Sequence, residues 1–183
     1  MRKNIFIVRH CEAQGQSVDA RLTETGRQQA IDLSGFFANT KIDRIISSPF
    51  GRAVASVKPL SEKINIHIET DDRLSERNLS PENLPDWLDH LKASFTDLDL
   101  KLAGGESSRQ AMCRIADVTE EAFHSAVENV IIVTHGNIMS LLLKCFDDHF
   151  GFLSWQNLTN PDVYLLGKTN HSITVKRIWQ QEW

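Results

Sequence analysis

The sequence predicts an α/β fold: a single three-layer domain, a mostly parallel sheet with helices on both faces, and an antiparallel strand toward the C-terminal end. Three observations point there. Short runs of apolar, β-branched residues alternate along the chain with segments of helical period, the pattern of strands joined by crossover helices. The clearest run, Val130-Ile131-Ile132-Val133-Thr134, has no polar alternation, as a strand buried on both faces requires. The last two strand candidates, Val163 to Leu166 and Ser172 to Ile178, have no helix between them, so they are expected to pair antiparallel. With 183 residues the chain suffices for one well-buried core and is short for two. No internal repeat and no linker interrupts it.

The elements follow in order. Ile5-Phe6-Ile7-Val8 reads as a short buried strand that ends in Arg9 and His10. A polar loop leads to a helix capped by Thr23, with Glu24 at its positive end and Ala30, Leu33, Phe36 and Phe37 at helical spacing. Ile42 to Ile46 reads as the second strand. Ser48 as N-cap and Pro49 at the first position open a helix that carries Arg52, Ala53 and Val57 and is expected to kink or break near Pro59. Ile64 to Ile68 alternates apolar and polar, which predicts a third strand with His67 facing solvent. Residues 71–86 are irregular and long enough to suggest a functional loop. A helix is expected from Trp87 to Phe95, a long one from about Ser107 to Val127, and an apolar one from Ile138 to Phe146 after the buried strand.

Composition excludes some classes. Lys and Arg number 20 against 24 Asp and Glu, a net charge of −4 with no basic run. That balance argues against a nucleic-acid or acidic-membrane surface. Only four apolar residues precede Arg9, too few for a secretory signal, so a cytoplasmic location is expected. Cys11, Cys113 and Cys145 are odd in number and form no CxxC pair, which predicts neither zinc site nor disulfide framework.

In parallel sheets, ligands gather beyond the carboxyl ends of the strands. Arg9 and His10, Arg52, and His135 each follow a strand. His135 also precedes a helix, whose free N–H groups favour an anion. Two arginines, two histidines and a helix N-terminus on one edge would suit a doubly charged oxyanion, since guanidinium forks bind two phosphate oxygens at once. Each strand end alone is weak evidence.

The ordered set is more specific. Arg9-His10, Leu22-Thr23-x-x-Gly26-x-x-Gln29-Ala30, Ser47-Ser48-Pro49-x-x-Arg52-Ala53, Leu74-x-Glu76-Arg77, Gly105-Glu106-Ser107 and Val133-Thr134-His135-Gly136 occur in sequence. Over nearly the whole chain this resembles the histidine phosphatase superfamily, the phosphoglycerate mutase-like fold. The resemblance implies that His10 accepts the phosphoryl group and that Arg9, Arg52 and His135, with Gly136, bind its oxygens. It implies Glu76 as the acid that protonates the leaving oxygen and then the base for water, with Glu12 and Glu106 as weaker candidates. Glu106 is better suited to the start of the long helix. Arginines near His10 would lower its pKa, and a carbonyl on the other ring N–H would fix its tautomer. No metal or cofactor is then required.

Three departures stand out. Cys11 occupies the place of the usual glycine after the nucleophile, either as a small filler or as an oxidant-sensitive thiol. Gln16 stands where many members carry Asn, and could still donate to phosphate. Asn78-Leu79-Ser80-Pro81 replaces a glycine-rich continuation after the acid. His90, His124, His149 and His171 join no cluster. Trp155, Trp179 and Trp183 read as packing groups, whereas Trp87 follows the long loop of residues 71–86, which could fold over the pocket, and is a substrate-contact candidate. The expected function is hydrolysis of a small phosphorylated metabolite. A cofactor-dependent phosphoglycerate mutase and a catalytically silent phosphate-binding module are the alternatives. Mutases of this fold are generally longer, with an insertion after the acid loop for which this chain has little room.

Overall fold

The computed structural model describes residues 3–168 and 172–179. Six strands form one sheet in the order β3-β2-β4-β1-β5-β6. They are β1 (Lys3–Arg9), β2 (Arg44–Ser47), β3 (Ile68–Thr70), β4 (Asn129–Thr134), β5 (Asp162–Lys168) and β6 (Ile173–Arg177). The first four run parallel; β5 pairs antiparallel with β6, as the missing crossover helix predicts, and it is also antiparallel to β1. Among the described residues no helix is long and apolar enough to cross a membrane.

The pleat of β1 divides the core. Phe6 and Val8 face Leu33 and Phe37 of α1 (Glu24–Phe36) and its C-cap, and Ala53, Val57 and Leu60 of α2 (Gly51–Ile64). Ile5 and Ile7 face the other way. They pack with the clusters of α4 (Ser108–His124) and α5 (Gly136–Lys144), to which Leu91 and Phe95 of α3 (Trp87–Thr96) also belong. This is the expected three-layer arrangement.

Several boundaries differ from the sequence reading. Ser48 does not cap α2, whose N-cap is Phe50. The Ser48 N–H continues the sheet by donating to Val133 O at 2.8 Å, and its hydroxyl meets His135 Nε2 at 2.7 Å. The helix runs through Pro59 to Ile64 without a break and ends at Asn65 in the left-handed conformation, φ 55°. The third strand therefore starts only at Ile68. The alternation of Ile64, Ile66 and Ile68 records one-sided packing against the core. His67 is exposed, in the linker before the strand. A short helix missed by periodicity, α6 (Phe152–Gln156), is too brief to complete two turns. His171 and Trp183 lie outside the described residues.

Thr23 caps α1 as predicted, accepting from Gly26 N at 2.9 Å. Ser107 caps α4 in a reciprocal capping box with Gln110, so Glu106 is not needed there. Instead Glu106 pairs with Arg114 at 2.7 Å, and Arg114 NH1 donates to the carbonyls of Arg73 and Ser75. Together they anchor the long loop to α4. Gly105 is part of this anchor: a Cβ there would lie 2.2 Å from Leu79 O. Gly105→Ala is expected to cost about 1–3 kcal/mol by overpacking. A melting curve should drop by about 2–4 °C per kcal/mol lost. An unchanged midpoint would mean that the loop is not held at this contact.

Candidate active site

The register of the sheet assembles the site. Arg9 of β1 pairs with Thr134 of β4, and Ser47 of β2 pairs with Val133, so His10, Ser48 and His135 leave the sheet side by side. The two imidazole rings lie 5.1 Å apart, and Phe50 packs on His135 at 4.8 Å.

His10 is 8% exposed. Its Nδ1 is 2.7 Å from the carbonyl of Cys11, the acceptor the sequence reading asked for, which places the proton on Nδ1. Its Nε2 accepts from Arg52 Nε at 3.2 Å. The His10 pKa is lowered to about 4, first by burial, with Arg52 and Arg9 adding to it and the Cys11 carbonyl opposing it. The arginine charges expected to set this shift are the lesser cause. His135 is lowered well below the usual histidine value, again mainly by burial, with His10 and the arginines adding to it.

The sign gives a test. Depressed histidine values favour the neutral rings in the folded state. The contribution of His10 to stability is therefore whole above pH about 6.5 and is lost as the pH falls through about 4, and that of His135 is lost in the same direction. In ring-nitrogen NMR, His10 should be the neutral Nδ1–H tautomer at pH 6, with a midpoint near 4. A midpoint near 6.5 would contradict this buried geometry.

Arg52 is 1% exposed. Its NH1 is held by the carbonyls of Gln16 and Ser17 at 3.2 and 2.7 Å, and its guanidinium lies 5.0 Å from the centre of the Phe50 ring. Arg9 donates from NH1 to Leu158 O at 3.1 Å, while its Nε is buried without a partner. Burial lowers the pKa of both, with Glu76 opposing it. Gly136 lies beneath Arg9, and a Cβ there would approach the guanidinium to 3.1 Å, so that Arg9 would have to shift by a few tenths of an ångström. His135 lies deeper than expected. It is fully buried, Nε2 meets Ser48, and Nδ1 has no partner. A buried polar atom without a partner is costly, and such atoms concentrate where a ligand completes them.

Glu76 stands where the sequence reading put an incoming anion. Its Oε2 accepts from Asn137 N at 3.0 Å and its Oε1 from Ile138 N at 2.9 Å, capping the α5 N-terminus. Oε1 also accepts from Arg77 N at 2.8 Å. The helix end does hold an acidic group, as its dipole favours, but the group is the chain's own. Arg77 braces the loop through Glu106 O and Ser94 Oγ.

A cleft of about 480 Å³ is lined by Arg9, His10, Gln16, Glu76 and Gly136, whereas the fully buried His135 lines neither it nor the hollow beside it. Arg52 opens onto an adjoining hollow of about 720 Å³ that shares Gln16 and Glu76. Glu12 also borders the cleft and accepts from Thr23 Oγ1 at 2.7 Å. Cys11 is fully buried between Leu22 and Ala30. Burial pushes its thiol pKa up to about 12, which keeps it protonated and inert. This burial favours the filler reading over the oxidant-sensor one.

Sequence reasoning missed three groups. Asn137 lines the cleft with both side-chain amide atoms buried and unpartnered; its place directly after Gly136 was the available signal. Asn160 donates to His10 O at 2.7 Å from 150 residues away, with no local signature. Ser56 accepts from Cys11 N at 2.8 Å and fixes the turn after His10. The remaining described histidines sit beside carboxylates on the surface: His90 with Asp86, His124 with Glu120 and His149 with Asp147. Among the described residues no group of three or more His, Cys, Asp or Glu is disposed to hold a metal ion.

The model of the histidine phosphatase superfamily (branch 1) matches residues 5–181. The chain is 27% identical over 158 residues to a Hydrogenobacter thermophilus protein named "Putative phosphoserine phosphatase 2", covering 77% of each. It is 30% identical over 159 residues to "Probable phosphoglycerate mutase GpmB" of Yersinia pestis, covering 76% of this chain and 73% of that one. A mycobacterial glucosyl-3-phosphoglycerate phosphatase structure superposes with a TM-score of 0.76 at 21% identity, covering 97% of both chains.

Proposed function

The chain belongs to the histidine phosphatase superfamily (branch 1), and from that membership we propose that it is a phosphatase that hydrolyses a small phosphomonoester through a phosphohistidine on His10. The observation that carries this reading is the state of the His10 ring. With the proton held on Nδ1 by the Cys11 carbonyl, the lone pair on Nε2 is free to attack phosphorus once Arg52 turns its N–H to a phosphate oxygen.

The steps balance without further groups. Nε2 forms the bond to phosphorus as the ester oxygen leaves, and Glu76 gives that oxygen a proton. Water then attacks the phosphohistidine, gives its proton to Glu76, and releases phosphate and neutral His10. Arg9 and Arg52 stabilise the equatorial oxygens, and His135 supplies Nδ1, its unpartnered ring nitrogen. These groups are held in a buried site, where fixed charges act strongly and need little reorganisation. Asn137 and Gln16 border the same space as further polar contacts.

A mutase would use the same nucleophile but must return the phosphoryl group to a bound phosphoglycerate. Phosphate release from p-nitrophenyl phosphate, an acid-labile phosphoenzyme trapped on His10, and no conversion of 3- to 2-phosphoglycerate are expected. Conversion of the phosphoglycerates faster than phosphate release would overturn the hydrolase reading in favour of the mutase.

A further inference from the structure

We propose that the leaving group of the substrate is an uncharged alcohol with a ring or comparably apolar body, rather than a phosphorylated carboxylic acid; this rests on the hydrolase reading of the same site. The residues around the far side of the cleft carry the argument. Beyond Arg9, His10 and Glu76, the wall is built from Leu79, Trp87, Leu91 and Trp155. The indoles of Trp87 and Trp155 meet edge-on with ring centres 6.4 Å apart.

This wall is rigid on its inner side. Trp155 packs on Phe152 at 5.4 Å, and Phe152 on Phe95 at 6.3 Å, so the aromatic series runs from the cleft into the core. Trp87 is nonetheless 48% exposed, an unusual state for so large an apolar side chain beside a cavity. Such a face offers a planar apolar body a stacking surface at small entropic cost.

Charge points the same way. The arginines near phosphorus are committed: Arg9 and Arg52 to carbonyls and the phosphate position, Arg77 to Glu106 O and Ser94 Oγ. Among the described residues no lysine lines the cleft or its neighbour, whereas Glu12 and Glu82 do. A carboxylate on the leaving group would meet no lysine there, only arginines already engaged by carbonyls, Ser94 Oγ and the phosphate position, together with two like charges, which selects against it. The remaining polar residues at the rim, Gln16 and Asn83, are neutral amides suited to hydroxyl groups.

Two non-hydrolysable probes separate the possibilities without depending on turnover. In calorimetric titration of the whole protein, benzylphosphonate should bind about 10-fold or more tighter than phosphonoacetate, the gain expected of aromatic contact. In Trp87→Ala that ratio should fall toward one. Trp87 is half exposed, so the variant should keep its fold, which its melting curve checks. Equal or tighter binding of phosphonoacetate, or a ratio that survives in Trp87→Ala, would overturn the assignment. If the preference holds while no ester is hydrolysed, the hydrolase reading fails and the ring-binding wall stands.

Discussion

His10→Ala is expected to abolish phosphate release, a loss of about 10³-fold or more, because under the proposed covalent mechanism it removes the nucleophile and with it the route. The surrounding groups remain. Arg9 is held by Leu158 O and Arg52 by the carbonyls of Gln16 and Ser17, so neither depends on the imidazole for its place. The variant should therefore still bind inorganic phosphate, and calorimetry on the same preparation checks this. Trapping of the acid-labile phosphoenzyme should disappear with the ring. This variant also decides against a silent binding module, in which turnover would be absent from the parent protein as well. Turnover that survives in His10→Ala would place the nucleophile elsewhere.

Glu76→Gln has the next largest effect and is leaving-group dependent. An amide cannot deliver the proton, so kcat on a simple alkyl phosphate should fall by about 10²–10⁴. On p-nitrophenyl phosphate, whose phenolate leaves without help, the fall in the first step should be far smaller. The substitution has a structural side too. Glu76 accepts from Asn137 N and Ile138 N through different oxygens, and Gln must turn its NH₂ toward one of those N–H groups. Loss of half a helix cap costs about 1 kcal/mol and should appear as a lower melting midpoint. A purely capping role would depress both substrates alike; only an acid separates them.

The local parts of this protein were legible in its sequence. The buried strands at Ile5 to Val8 and Val130 to Thr134, the Thr23 cap and the positions of Arg9, His10, Arg52 and His135 after strands all follow from periodicity, capping preference and chain order. So did the single α/β domain, because crossover helices between apolar strands admit few other arrangements. The errors were local as well. Ser48 and Pro49 satisfy every rule for a helix start, yet sheet register kept Ser48 extended and gave its hydroxyl to His135.

What only the tertiary structure decided is how those residues are used. That Glu76 caps α5 requires two segments some 60 residues apart to meet, and no local pattern encodes it. Burial, rather than arginine charge, is the chief cause of the low His10 pKa, and burial likewise raises that of the Cys11 thiol. Trp155, read as a packing group, meets Trp87 in the wall of the cleft, and α6 packs against α3. Propensity and periodicity act over a turn or a strand. Desolvation and partner choice depend on what other chain segments bring to the same place, and only the folded packing determines that.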